Sequence, residues 1–288
     1  MDTETYYHHL NGITLHTLEA GDPKATCMVF LHGFPECSCA WHKQLAYFAQ
    51  QGYRVLAPDQ RGYNLSSKPA GVRAYRLDEL VSDIVALIRA RAQKKVVLVG
   101  HDWGGVVAWQ LAISHPQWVQ QLVIINMPHP SVFRHTLKTN PKQMARSSYA
   151  AFFQLPGLPE WLSRVFNFAV LQRSLIKTAK KGTFTKDVIA TYKKAWRQPD
   201  ALTAMLNWYR AFRYNTLTGA GIVQLPVLLI WGRKDQFLLQ QMAQASIERC
   251  TNGKLVMVEE ATHWIHHEQP ELVNALIQEF ITECRGEA

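Results

Sequence analysis

One carboxylate in this chain stands where a nucleophile would. The apolar run Val96-Val97-Leu98-Val99 leads into Gly100-His101-Asp102-Trp103-Gly104-Gly105. That is a strand running into Gly-x-Asp-x-Gly and then a helical stretch. In the serine form of this elbow, a strained turn lifts the nucleophile to the top of a sheet. Glycines let strand and helix approach closely around such a turn. Backbone N–H groups and the helix N-terminus favour negative charge there. An aspartate at that place is also a common helix cap, but the flanking glycines and the strand–turn–helix order favour a nucleophilic Asp102.

The elements that must position it follow from hydrophobic patterning. Cys27–Leu31, Tyr53–Ala57, Val96–Val99 and Leu122–Ile125 read as buried strands. A helical pattern over Leu77–Ala92 places Leu80, Ile84, Leu87 and Ile88 on one face, and a second helix spans Trp103–His115. Strands alternating with helices predict an α/β protein with a mostly parallel sheet covered on both faces. The alternation stops near His129. From there to about Ala220 the chain reads as helical and aromatic, broken at Pro156-Gly157, Pro159 and Pro199. Strands resume at Val227–Ile230 and Lys254–Val258, and a helix over Pro270–Cys284 closes the chain. This predicts a core of residues 1–133 and 221–288 with an inserted helical cap, or lid, over 134–220.

Bulk properties narrow the function classes. The chain has 288 residues, is 48% apolar and carries a net +9. The positive charge is local: residues 134–220 hold fifteen Lys and Arg against Glu160, Asp187 and Asp200, a net +12, leaving −3 elsewhere. No nucleic-acid motif accompanies it, and a solvated basic surface is the plainer reading. No apolar run approaches the ~20 residues of a membrane helix. The start, Met1-Asp2-Thr3-Glu4, is unlike a signal peptide, so a cytoplasmic protein is expected. Cys27, Cys37, Cys39, Cys250 and Cys284 are odd in number and irregular in spacing, and are read as free thiols, with no zinc site.

The motifs together carry a resemblance. His32-Gly33-Phe34-Pro35, Asp59-Gln60-Arg61-Gly62-Tyr63, His101-Asp102-Trp103-Gly104-Gly105, Asn207-Trp208-Tyr209-Arg210 and His263-Trp264 stand in this order along nearly the whole chain. It resembles the soluble epoxide hydrolases of the α/β-hydrolase fold. One departure is Asn64, where relatives often have Gly; Asn also tolerates left-handed backbone. The resemblance implies that Asp235, after Val227–Ile230, orients the base; a turn or capping aspartate is the alternative. Some relatives carry this acid after the strand before the cap, where this chain has Asn126. It implies that His263, rather than His266 or His267, is the base, in the nucleophile–acid–histidine order of the fold. It also implies an oxyanion hole from the backbone N–H groups of Phe34 and Trp103, with a Phe34–Pro35 bond that is cis in relatives. Aligning on Phe152-Phe153-Gln154 and on Asn207-Trp208 gives Tyr149 and Tyr209 as the two cap tyrosines.

An aspartate nucleophile changes the reaction. Serine displacing a group at saturated carbon would leave an ether with no carbonyl to hydrolyse. Aspartate leaves an ester, which activated water can split. Epoxides and haloalkanes are the candidate substrates. Halide leaves as a weak base, whereas an epoxide oxygen leaves as a basic alkoxide and needs an acidic donor such as tyrosine, whose ordinary pKa is ~10. Phe34 also stands where many dehalogenases carry a halide-holding Asn. The expectation is a cofactor-independent epoxide hydrolase acting on small hydrophobic epoxides. The alternatives are a haloalkane dehalogenase and a noncatalytic receptor on the same fold.

Overall fold

The computed structural model describes residues 3–215 and 221–286. Eight strands form one sheet: β1 (Glu4–Leu10), β2 (Ile13–Ala20), β3 (Cys27–Leu31), β4 (Arg54–Pro58), β5 (Val96–His101), β6 (Val119–Ile125), β7 (Val227–Gly232) and β8 (Gly253–Val258). Their order is β1-β2-β4-β3-β5-β6-β7-β8. From β4 to β8 neighbours are parallel, while β1–β2 and β2–β4 are antiparallel. The expected mostly parallel sheet is present, with an antiparallel edge that the patterning above does not include. Its signal was available. Asn11-Gly12 joins β1 to β2, with Leu10 paired to Ile13 and positive φ at both turn residues (51° and 74°). That two-residue turn is a strong hairpin signature.

The apolar runs are continuous because both faces of the sheet are covered. In β5, Val97 and Val99 face one core and Val96 and Leu98 the other. Leu45 and Phe48 of α1 (His42–Gln50), with Val273 and Ile277 of α12 (Pro270–Gly286), fill the first. Leu80, Ile84, Leu87 and Ile88 of α2 (Leu77–Arg91), with Val107 and Leu111 of α3 (Trp103–Ser114), fill the second. The α2 face is the one read from its spacing. Fully burying one such side chain contributes about 1.5–3 kcal/mol.

Between β6 and β7 the described residues form helices joined by loops, with one parallel bridge from Val223 to Cys250: α4 (Pro130–Thr139), α5 (Pro141–Arg146), α6 (Ser148–Phe152), α7 (Leu158–Thr178), α8 (Lys186–Trp196) and α9 (Ala201–Ala211). The first begins at Pro130, four residues before the boundary expected at 134. The boundary expected at 220 falls among residues 216–220, outside those described. After β7 come α10 (Gln241–Ile247) and, after β8, α11 (Ile265–Glu268). No helix among the described residues is long and apolar enough to cross a membrane. All five cysteines are free.

Candidate active site

Asp102 lies between the end of β5 and the start of α3 with φ 50° and ψ −125°, a strained conformation for a residue with a Cβ. The neighbouring backbone makes room for it. A Cβ on Gly33 would sit 2.4 Å from the Asp102 Cβ, and one on Gly104 would sit 2.1 Å from the Leu31 carbonyl oxygen. The strained turn therefore presses against two chain segments that only glycine allows so close.

The structure brings Asp102, Asp235 and His263 together from three separate loops. His263 Nδ1 lies 2.7 Å from Asp235 Oδ2, and its Nε2 lies 3.5 Å from Asp102 Oδ2. Asp235 is buried. Its Oδ1 accepts from the backbone N–H groups of Phe237 (2.7 Å) and Leu238 (2.9 Å). Burial opposes its charge, but the His263 imidazolium and these donors outweigh that and hold its carboxyl below the usual range. Burial likewise opposes charge on His263. The Asp235 carboxylate, with help from Asp102, overcomes it and raises the imidazole to about 10.

The two residues expected to supply oxyanion donors lie beside Asp102. The Phe34 N–H donates to Asp102 Oδ1 at 2.8 Å, and the Phe34–Pro35 bond is cis. Trp103 is the first residue of α3, so its N–H has no acceptor four residues back. The Trp103 indole packs edge-on against Tyr209, 5.0 Å between ring centres.

Tyr149 on α6 and Tyr209 on α9 stand 6.0 Å apart, ring centre to ring centre. Two cavities, of about 460 and 360 Å³, both include Asp102, Tyr149, Tyr209 and Phe237 in their walls. The larger continues between Val106, Met127, Phe133 and Leu137. The smaller continues past Phe34, Leu162, Leu171 and His263. An apolar space with a few convergent polar groups is the usual form of a small-molecule site. Burial is the main cause that raises both tyrosine hydroxyls above their ordinary range, with the Asp102 charge adding to it. Both therefore stay protonated donors.

Arg210 braces the two tyrosine-bearing helices. It pairs with Glu160 through Nη1 (2.7 Å) and Nη2 (3.1 Å) and donates to the carbonyls of Phe153 and Leu155. The Gln154 side chain also donates to the Tyr209 carbonyl. In the Asp59–Tyr63 motif, Asn64 has φ 41°, and its Nδ2 donates to Asp59 Oδ2 at 2.8 Å. Asparagine here keeps the left-handed turn and adds a bond that glycine lacks.

Two features escaped the sequence reading. Asn126 was noted only as the absence of an acid. Its Nδ2 donates to Asp235 Oδ2 at 2.7 Å, and its Oδ1 accepts from the Gly232 N–H at 3.0 Å. The second is a buried cluster behind His263. Glu36 accepts from Tyr192 Oη (2.8 Å) and sits 2.6 Å from His267 Nε2. Its other oxygen is 3.3 Å from His101 Nδ1 and 3.6 Å from His266 Nε2. His101 Nε2 in turn meets the backbone carbonyl of His263 at 2.9 Å. His266 and His267 lie on α11 and back the site rather than enter it. Glu36, His266 and His267 are the one group of metal-ligand type that comes together among the described residues. Glu36 follows the His32–Pro35 motif directly, and the His266-His267 pair was visible; their meeting depended on the fold.

Known proteins share this arrangement of chain. A family model described as the α/β hydrolase fold matches residues 26–270. AB hydrolase superfamily protein YfhM of Bacillus subtilis is 45% identical over 272 residues, covering 94% of this chain and 95% of that protein. Mouse epoxide hydrolase 4 is 36% identical over 279 residues, covering 95% of this chain and 77% of that protein. A crystal structure of Bacillus megaterium epoxide hydrolase in complex with an inhibitor superposes with a TM-score of 0.89 at 33% identity, covering 96% of this chain and 100% of the other. The chain belongs to the α/β-hydrolase fold family and, within it, to the epoxide hydrolases.

Proposed function

We propose that this protein converts small hydrophobic epoxides to vicinal diols through an ester on Asp102. The observation that carries the reading is the sharing of both cavities by one carboxylate and two tyrosines. The residues over 134–220, which hold the later part of α4 and all of α5 to α9, act as a cap over a core of 1–133 and 221–288.

In the first step Tyr149 and Tyr209 hold the ring oxygen and one gives it a proton, while Asp102 attacks a ring carbon from the other side. The C–O bond breaks and a hydroxyalkyl ester forms. Esterification removes the Asp102 charge, which is one of the two that raise His263. The imidazole then becomes a better proton donor to solvent and so reaches its neutral, basic form. His263, oriented by Asp235, takes a proton from water, and the hydroxide attacks the ester carbonyl. The N–H groups of Phe34 and Trp103 hold the developing oxyanion. Its collapse breaks the ester C–O bond, His263 returns its proton to the leaving diol oxygen, and the proton left on the Asp102 carboxyl restores the tyrosine through solvent. Water is the only co-reactant and no electrons change hands, so no metal or redox cofactor enters the scheme. The protein is proposed to act in the cytoplasm.

His263→Gln separates the rival readings, because His263 serves the second step only. With an epoxide the variant should gain the whole substrate mass, mapped to Asp102 by peptide mass spectrometry. An adduct formed only from haloalkanes, with a burst of halide, would make it a dehalogenase. No adduct from either class, with an inactive unmodified protein, would leave the noncatalytic receptor.

A further inference from the structure

Helix α7 is interrupted in its middle. Val165 is extended (φ −58°, ψ 149°), and Phe166, Asn167 and Phe168 are all left-handed, at φ 52°, 55° and 63°. Asparagine tolerates that backbone, but it is unfavourable for the two phenylalanines. The break sends two aromatic residues opposite ways. Phe168 is buried against Trp196 of α8, 5.8 Å between ring centres, whereas Phe166 is 89% exposed. On the same element Trp161 is 60% exposed, and Leu158, Val170 and Ile176 are also exposed. Single exposed apolar residues are ordinary. Val170 lines the smaller cavity, but the other four on this element, around a strained turn that holds Phe166 outward, are not accounted for by the fold or by the reaction.

Cations lie beside the break, on α7 and on α8. A groove of about 430 Å³ beside the break is lined by Asn167, Ile176, Lys186, Lys193, Lys194 and Arg197, among others. Arg197 bonds to Asn167 and lies over the Phe168 ring, so the groove and the break are held as one surface. Arg164, Arg173 and Lys177 are exposed on α7 itself. The salt bridges among the described residues include none of these seven cations. A nucleic acid duplex would need the charge but not the apolar side chains, and a single strand would stack on Phe166 and Trp161 but leave the exposed aliphatic Leu158 and Ile176 unused. A bilayer with anionic headgroups uses both.

We propose that this face docks on an anionic lipid bilayer. Phe166 and Trp161 enter the boundary between headgroups and acyl chains, and Lys186, Lys193, Lys194 and Arg197 meet lipid phosphates. The inner side of α7, through Leu162 and Leu171, lines the smaller cavity, so docking would set that cavity beside the membrane. The docking stands independently of the chemistry at Asp102.

The test is sedimentation of the full chain with vesicles of phosphatidylcholine, with and without phosphatidylglycerol. Wild type should partition onto the anionic vesicles and release as salt rises. A basic residue near an anionic surface is worth about fivefold in partition, so K193E/K194E should bind at least roughly tenfold more weakly. F166S should also bind more weakly, with unchanged salt sensitivity. Phe166 and Lys194 are exposed, Lys193 is half-buried and all lie outside the site. F166S should keep its thermal midpoint, while K193E/K194E, which places acids in the last turn of α8, should stay folded with a small drop in midpoint. Equal partition onto neutral vesicles, no partition onto anionic ones, or binding unaffected by the lysine reversals would overturn the proposal. So would competition by an oligonucleotide with F166S binding like wild type, which would make the face a polyanion site.

Discussion

Asn126 and His263 contact the same oxygen of Asp235, Oδ2, each at 2.7 Å from an opposite element of the site. Asn126 also accepts from the Gly232 N–H, so it ties the end of β6 to the end of β7 and fixes the acid between them. Asn126→Ala would leave that buried N–H without its acceptor and Asp235 without one of its donors. A loss of about 1–3 kcal/mol is expected, read by urea denaturation. Asn126→Asp keeps the Gly232 acceptor but sets two carboxylates side by side, so one must hold a proton. It should be nearly as stable as wild type below pH about 4 and fall behind as pH rises. Equal stability loss at both ends of that range would mean that Asn126 is mere packing.

The elevation of His263 to about 10 has two charged sources, Asp235 first and Asp102 second. Asp102→Asn removes one of them. The His263 pKa should drop in that variant, followed by NMR of the imidazole ring protons. A linked stability change has a defined sign. A folded pKa raised above the ordinary 6.5 contributes stability that is complete below that value and is lost as pH climbs through about 10. In Asp102→Asn the loss should finish at lower pH. An unmoved His263 pKa would contradict the ion pair seen at 3.5 Å.

The Glu160–Arg210 pair is buried on both sides. Breaking such a pair from one side typically costs about 3–5 kcal/mol, because the other charge is left unpaired. Arg210→Met should lose that order of stability, and adding Glu160→Gln should recover part of it. Burial opposes the Glu160 charge, but Arg210 outweighs it and holds the carboxyl below its ordinary value. The pair's contribution is therefore present above the ordinary carboxylate pKa and lost as pH falls through the lowered one. The difference between wild type and Arg210→Met should shrink on acidification.

Much of this was legible from residue order, and what was not has a physical reason. The elbow at Asp102, the apolar runs and the α2 face follow from local chemistry and periodicity. The meeting of Asp102, Asp235 and His263 was expected only through family likeness, because nothing local says that loops 28 and 161 residues apart converge. Asn126 reads in sequence only as a place without an acid, because the role of a neutral amide shows only when its two partners are in view. Glu36, His101, His266 and His267 come from three segments, and their clustering depends on how α11 packs under the first loop. The N-terminal hairpin is hard to read despite its Asn-Gly turn, because β1 lies on an edge and its alternation is weak: all of its residues are exposed or half-buried.

The two tyrosines give the sharpest expectation. Both face Asp102 across shared cavities, and both hydroxyls are held above their ordinary pKa, chiefly by burial. A neutral donor can steady the ring oxygen as its charge develops and then protonate it. Loss of one oxyanion-type donor costs about a hundredfold to a thousandfold in kcat. Tyr149→Phe and Tyr209→Phe should each slow ester formation toward that range, because one donor remains. The double variant should lose nearly all of it. The shape of each cavity is kept in all three, so substrate affinity should change far less than the rate. Rapid mixing with an epoxide in the His263→Gln background isolates the first step. Its rate should not fall with rising pH until the tyrosines ionise, which the direction of their shifts puts above pH 10. A double variant that alkylates at the wild-type rate would remove the tyrosines from the reaction and, with them, the main reason to prefer an epoxide over a haloalkane.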